Sequence, residues 1–300
     1  MNTSRMAVAV LLSLYVLSLH GQVPQQKFTQ PTTPQARQEL IRTLQEHRAN
    51  RNGHGEAITL LQLGFTEAEL GNLSGARTNL AESVDKMRAL HDFTGALLGL
   101  LTLAQIDAGS GRPADAIAHT ERALKLMNEE KTSTTPFSIQ TLIALGMTGG
   151  MTPEMIKMIE GSNPAMKVLL IQYTFEPLVH DLYGSLLTQV GRLDKAEAEL
   201  KEAMVGAAPS QGVYDFSIES HFGDLRYKQQ RYDEARTHYV KALDATGKAG
   251  GLLSVASEQQ LKATIYDRLV SLETSAGRPD DARRWAEKAR LLNKKQPAGR

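Results

Sequence analysis

The side chains best suited to acid–base or metal chemistry are the eight histidines: His20, His47, His54, His91, His119, His180, His221 and His238. Holding zinc from one helix face needs two ligands four residues apart, and no two of these histidines have that spacing. His91-Asp92 and His180-Asp181 set a base beside a carboxylate. Adjacent residues leave a helix on different sides, however, so the expectation is two ordinary surface or half-buried pairs. Gly-x-Ser-x-Gly, phosphate-loop and dinucleotide signatures are absent. The chain has no cysteine, which excludes disulfides, thiolate zinc sites and a cysteine nucleophile. The expectation is a protein that is not an enzyme, with no catalytic residue, no metal and no cofactor.

Charge and composition narrow the partners. Lysine plus arginine number 34 against 33 acids, and Arg5 is the one charged side chain among residues 1–21, so the remainder balances. A neutral chain has no electrostatic reason to hold nucleic acid. One tryptophan, eight tyrosines and seven phenylalanines are few for a base- or sugar-stacking surface. Arg5 followed by the apolar stretch Met6 to Leu19 reads as a secretory signal ending near Gly21, with an uncleaved anchor or an ordinary helix as the alternatives. The expected location is therefore exported, periplasmic or secreted, with no stable membrane insertion once residues 1–21 are removed. Residues 22–34, rich in glutamine, threonine and proline, read as a flexible spacer.

The glycines mark the elements. Gly71-Asn72-Leu73-Ser74-Gly75-Ala76 recurs in form at Gly111 to Ala116, Gly191 to Ala196, Gln230 to Ala235 and Gly277 to Ala282. Each phrase is a helix stop followed by a helix start, since glycine accepts the left-handed conformation at a helix end, and proline and acids suit a first turn. Their first residues lie 40, 80, 39 and 47 positions apart. A period near 40 predicts an array of helical hairpins in which each unit buries its apolar face on the next. The regular units fall at about 56–90, 93–128, 175–205, 213–246 and 252–293, within a repeat domain at 35–296. Residues 129–174 fill one period without matching it, carrying Ile156 where the small alanine belongs. Five of the ten methionines, Met147, Met151, Met155, Met158 and Met166, gather there. They suit either plastic packing in a degenerate unit, the favoured reading, or a docking insertion.

The matched units resemble tetratricopeptide repeats. Leu63-Gly64, Gly71, Leu73, Ala76 and Leu80 carry the likeness in the first unit, Tyr183-Gly184, Gly191, Leu193, Ala196, Leu200 and Ala203 in another, and Phe222-Gly223, Tyr232, Ala235, Tyr239, Ala242 and Leu243 in the next. The period is longer than the family's usual 34 and is similar to the kinesin-light-chain variety and to many bacterial scaffold proteins. The resemblance implies an all-α right-handed superhelix, an α-solenoid of antiparallel helix pairs, with a concave wall made by the first helix of each pair. Carried over position by position, that wall includes Leu61, Phe65, Glu69, Leu101, Gln105, Asp181, Ser185, Gln189, Ser220, Asp224, Tyr227, Asp267, Ser271 and Thr274. Members that clamp a chaperone's C-terminal carboxylate have lysine, arginine and asparagine there, whereas this chain has aspartate, serine and threonine. The wall's C-terminal half therefore suits an extended segment bearing lysine or arginine, or else is a solvated helix face. The implied function is an exported scaffold or adaptor for a protein or peptide, without catalysis. The alternative is a structural or self-associating subunit of a cell-envelope assembly, and the sequence leaves the oligomeric state open.

Overall fold

A computed structural model describes residues 33–135, 138–141, 153–160, 164–208, 214–248 and 255–294. The leader and most of the spacer, Met147, Met151 and the side chains of Ile156, Met155, Met158 and Met166 lie outside the described residues. The described residues are helical with no strand. They cluster into two compact units, one ending at Val179 and one beginning at His180.

The first unit contains α1 (Pro34–Ala49), α2 (Gly53–Glu69), α3 (Leu73–Ala89), α4 (Phe93–Gly109) and α5 (Pro113–Thr132). These are followed by the short α6 (Pro153–Glu160) and α7 (Pro164–Leu170) and by a π-helical turn at Ile171–Phe175. Thr33 caps α1 by accepting from the Ala36 N–H at 3.1 Å, and Pro34 stands where a missing N–H costs nothing. From α2 to α4 each helix is 17 residues, about 25 Å long. A turn of constant form separates them. The residues with positive φ are Arg51 (54°), Gly71 (81°), His91 (56°) and Gly111 (71°), at intervals of 20. At Gly71 the ring closes as its N–H reaches Ala68 O (3.0 Å) and the Asn72 N–H reaches back to Glu67 O (2.8 Å), so two orphan carbonyls are paired. The next helix is then capped by the side chain of Asn52, Asn72 or Asp92, which accepts the N–H of the residue three places on at 3.0, 3.2 and 2.9 Å. In the first unit the 40-residue repeat is thus two copies of one 20-residue helix-and-turn.

Packing explains the apolar content of α2 and α4. Leu60 and Leu63 pack with Leu44 of α1, while Ala57, Leu61 and Phe65 join Leu80, Val84, Leu97 and Leu100 in the main core. A helix covered on two sides has few polar positions to spare. Gly64 is the contact point with α3, because a Cβ there would lie 2.5 Å from Leu80 Cγ. The fully buried Leu80 contributes on the order of 1.5–3 kcal/mol through that burial. Buried Lys167 of α7 donates to Glu130 (3.1 Å) and to the carbonyls of Ser133 (2.7 Å) and Thr135 (3.0 Å), closing the α5 C-terminus.

The boundary between the units falls within α8 (Glu176–Gln189). The second unit continues with α9 (Leu193–Ala207), α10 (Asp215–Lys228), α11 (Tyr232–Lys248), α12 (Val255–Ser275) and α13 (Pro279–Lys294). The close-approach glycines recur at the same spacing of 16. A Cβ on Gly184 would meet Leu200 Cγ at 2.6 Å, and one on Gly223 would meet the Tyr239 ring at 2.4 Å. In both units consecutive helices therefore pack in pairs, as in an α-solenoid.

Charged joints lock one pair to the next. In the first unit Arg37 meets Glu67 at 2.7 Å and Arg77 meets Asp107 at 2.9 Å. In the second unit Arg236 meets Glu273 at 2.5 Å. At the remaining joint the signs are exchanged, with Glu197 at the α9 position and Arg226 as the buried partner, joined at 2.7 and 3.1 Å. A carboxylate near a helix C-terminus opposes the helix dipole, so burying Glu67, Asp107 or Glu273 there requires these arginines.

Candidate binding cleft

The wall residues expected from the sequence fall into two groups. Leu61, Phe65, Asp181 and Ser220 are buried, and a ligand cannot touch them without displacing their neighbours. Leu61 and Phe65 belong to the core of the first unit. Glu69, Leu101, Gln105, Ser185, Asp224 and Tyr227 are half-buried, and Gln189, Asp267, Ser271 and Thr274 are exposed.

Asp181 is an internal anchor. Its Oδ2 accepts from the Ser217 hydroxyl at 2.5 Å and its Oδ1 faces His221 Nδ1 at 2.8 Å. Burial alone would lower the His221 pKa, but the Asp181 carboxylate raises it. A serine, a histidine and an aspartate are thus together, but serine and histidine each bond the carboxylate and not one another. A nucleophile needs its hydroxyl on the histidine, and Ser217 is also buried. The adjacent His180 turns to α9 and meets Glu199 at 2.7 Å. Its mirror on the next pair is His238 with Glu219 at 2.6 Å. Among the described residues, no group of three or more metal-ligating side chains comes together.

Four of the expected residues do converge. Asp224 and Tyr227 of α10, Tyr239 of α11, and Thr264, Asp267, Arg268 and Ser271 of α12 line an open cleft of about 330 Å³. The repeat creates it: Gly223 seats the Tyr239 ring, and the Tyr239 hydroxyl donates to Asp224 Oδ1 at 2.7 Å. Asp224 Oδ2 lies 3.0 Å from Arg268 Nη2, and Arg268 Nη1 donates to Ser220. Burial, with Asp224 adding to it, raises the Tyr239 pKa, so the phenol stays protonated and remains a donor. Tyr227 and Ser275 hydroxyls lie 2.8 Å apart at the rim. Asp267 is exposed and has no ion-pair partner among the described residues.

Tyr239 and Arg268 were not among the expected wall residues. Tyr239 lies on a second helix, and nothing in an isolated arginine tells that it reaches across to Asp224. The partners of Asp181 follow the repeat, since His221 stands 40 positions on, one period.

No family model matches the sequence, and no curated protein matches it. In fold the chain is similar to the crystal structure of BtubC (BKLC) from P. vanneervenii. The TM-score is 0.57, the sequences are 17% identical, and the match covers 88% of this chain and 93% of that one. The likeness is one of all-helical architecture. Among the described residues no helix is long and apolar enough to cross a membrane.

Proposed function

We propose that this chain is an exported, tetratricopeptide-like scaffold that holds an extended peptide or protein segment along the first helices of its pairs and performs no catalysis. The observation carrying this reading is the cleft of the second unit, where α10 and α12, first helices of successive pairs, present half-buried and exposed polar side chains to one space of about 330 Å³. Helix pairs whose buried sides are sealed by alanine and glycine contacts leave such side chains free to meet a partner. Export is supported by Arg5 and the apolar Met6 to Leu19 stretch. The non-catalytic reading is supported by the roles of the histidines, since His54, His180, His221 and His238 each tie one helix to another through a carboxylate.

Size exclusion with light scattering on the chain lacking residues 1–21, over a hundredfold concentration range, tests the reading against a self-associating rod. An adaptor keeps a constant mass. Mass that climbs with concentration, and falls back when cleft residues are left intact but helix ends are made charged, identifies the rod instead.

A further inference from the structure

The cleft is unevenly supplied with hydrogen-bonding groups. Its walls hold two carboxylates, Asp224 and Asp267, two phenol oxygens, Tyr227 and Tyr239, and the hydroxyls of Thr264 and Ser271. Among the described residues the one cation lining it, Arg268, is already bonded to Ser220 and Asp224. Thr264 donates its proton to Gln260 O at 3.1 Å, and Tyr239 donates to Asp224, so both oxygens keep lone pairs and no proton to offer. Two carboxylates against one guanidinium leave a net single negative charge. An entering anion would have to break the Arg268–Asp224 pair and lie beside Asp267. A donor-only cation instead meets the exposed Asp267 carboxylate, acceptor oxygens and the half-buried Tyr227 side chain.

We propose, resting on the peptide-binding reading above, that this cleft receives one guanidinium or ammonium group carried by an extended peptide, with Asp267 as its counter-ion. The half-buried Tyr227 forms the wall against which the cation's stem lies, while Arg268 and the buried Tyr239 keep Asp224 in place as a second, shared acceptor. The preferred group is a guanidinium, whose flat fork can bond Asp267 while its plane faces a phenol ring.

The experiment uses the chain lacking residues 1–21, with carbon-13 labels on its tyrosine rings. The probes are three peptides, acetyl-Gly-Ser-X-Ser-Gly-amide, in which X is arginine, citrulline or glutamate. Citrulline keeps the shape of arginine without its charge. The arginine peptide is expected to shift the Tyr227 and Tyr239 ring signals and to bind at least about fivefold more tightly than the citrulline peptide, with the glutamate peptide weakest. Asp267→Asn is expected to weaken the arginine peptide about three- to fivefold while leaving the ring spectrum of the free chain unchanged. Asp280→Asn on α13 is expected to have no effect. Citrulline or glutamate binding as tightly as arginine, or an unchanged affinity in Asp267→Asn, overturns the cation inference and leaves the peptide-binding reading standing. If none of the three peptides moves either ring signal, both fall.

Discussion

The joint between Glu197 and Arg226 allows a stability effect to be worked through from geometry. Arg226 is 9% exposed and grips Glu197 through two nitrogens at 2.7 and 3.1 Å. That contact, with help from Lys201, holds the Glu197 pKa at about 2 against an ordinary 4.5. The difference corresponds to about 3 kcal/mol of folding stability at neutral pH. Because the folded pKa is depressed, this contribution is present above the ordinary carboxylate range and is lost as pH falls through about 2. Glu197→Gln should therefore destabilise the protein by about 2–3 kcal/mol at pH 7, measured by urea denaturation, with the penalty falling to less than half by pH 3. A combined Glu197→Arg and Arg226→Glu exchange recreates the polarity already used by Arg77 with Asp107 and Arg236 with Glu273. It should recover at least half of what Glu197→Arg alone loses. Recovery stays incomplete because Glu234 lies 3.4 Å from Arg226 and would face the new carboxylate. A Glu197→Gln penalty below about 0.5 kcal/mol, or one that is equal at pH 7 and pH 3, would refute the reasoning.

Three further outcomes follow from the same contacts. Gly223→Ala gains about 1 kcal/mol of helix propensity but drives a Cβ into the Tyr239 ring, a net loss of about 0.5–2 kcal/mol in urea melts. The Tyr239 ring signal should shift with it, and an unshifted signal means that the ring does not rest there. Ala235→Leu, at a fully buried contact, should cost about 1–3 kcal/mol, and a neutral result means that the helices stand further apart. For His221, the pairing with Asp181 outweighs burial and raises the folded pKa, so its stabilisation is complete below the ordinary histidine range and is lost as pH rises through the raised value. His221→Gln should accordingly destabilise more at pH 5.5 than at pH 9, and the opposite order contradicts the pairing.

The helix pairs were legible because their punctuation is local. Gly71, Gly111, Gly191 and Gly277 all take the positive φ that their place in the turn demands. The half-period was hidden because Arg51 and His91 adopt the same conformation without being glycine. Only the constancy of the neighbouring caps, Asn52, Asn72 and Asp92, carried that signal. The first-helix glycines were read from the family's pattern, and their physical role is the close approach to Leu80, Leu200 and Tyr239, each 16 residues further on. The candidate wall was harder to read. Position on a first helix does not distinguish Asp267, which faces solvent, from Asp181, which is consumed by Ser217 and His221. Which acid is free depends on side chains one repeat away, and no local pattern encodes that.

The central claim is that a partner is held on the first helices of the second unit. Its most direct test places a photo-crosslinking amino acid at Ser271, on the cleft, or at Arg283, on the exposed side of α13, and exposes each variant to proteins of the exported fraction of its source cell. Excess acetyl-Gly-Ser-Arg-Ser-Gly-amide serves as competitor. The account predicts a discrete crosslinked species from Ser271 that the peptide suppresses, and none from Arg283. Crosslinks from Arg283 alone, or from both positions without suppression, would contradict it.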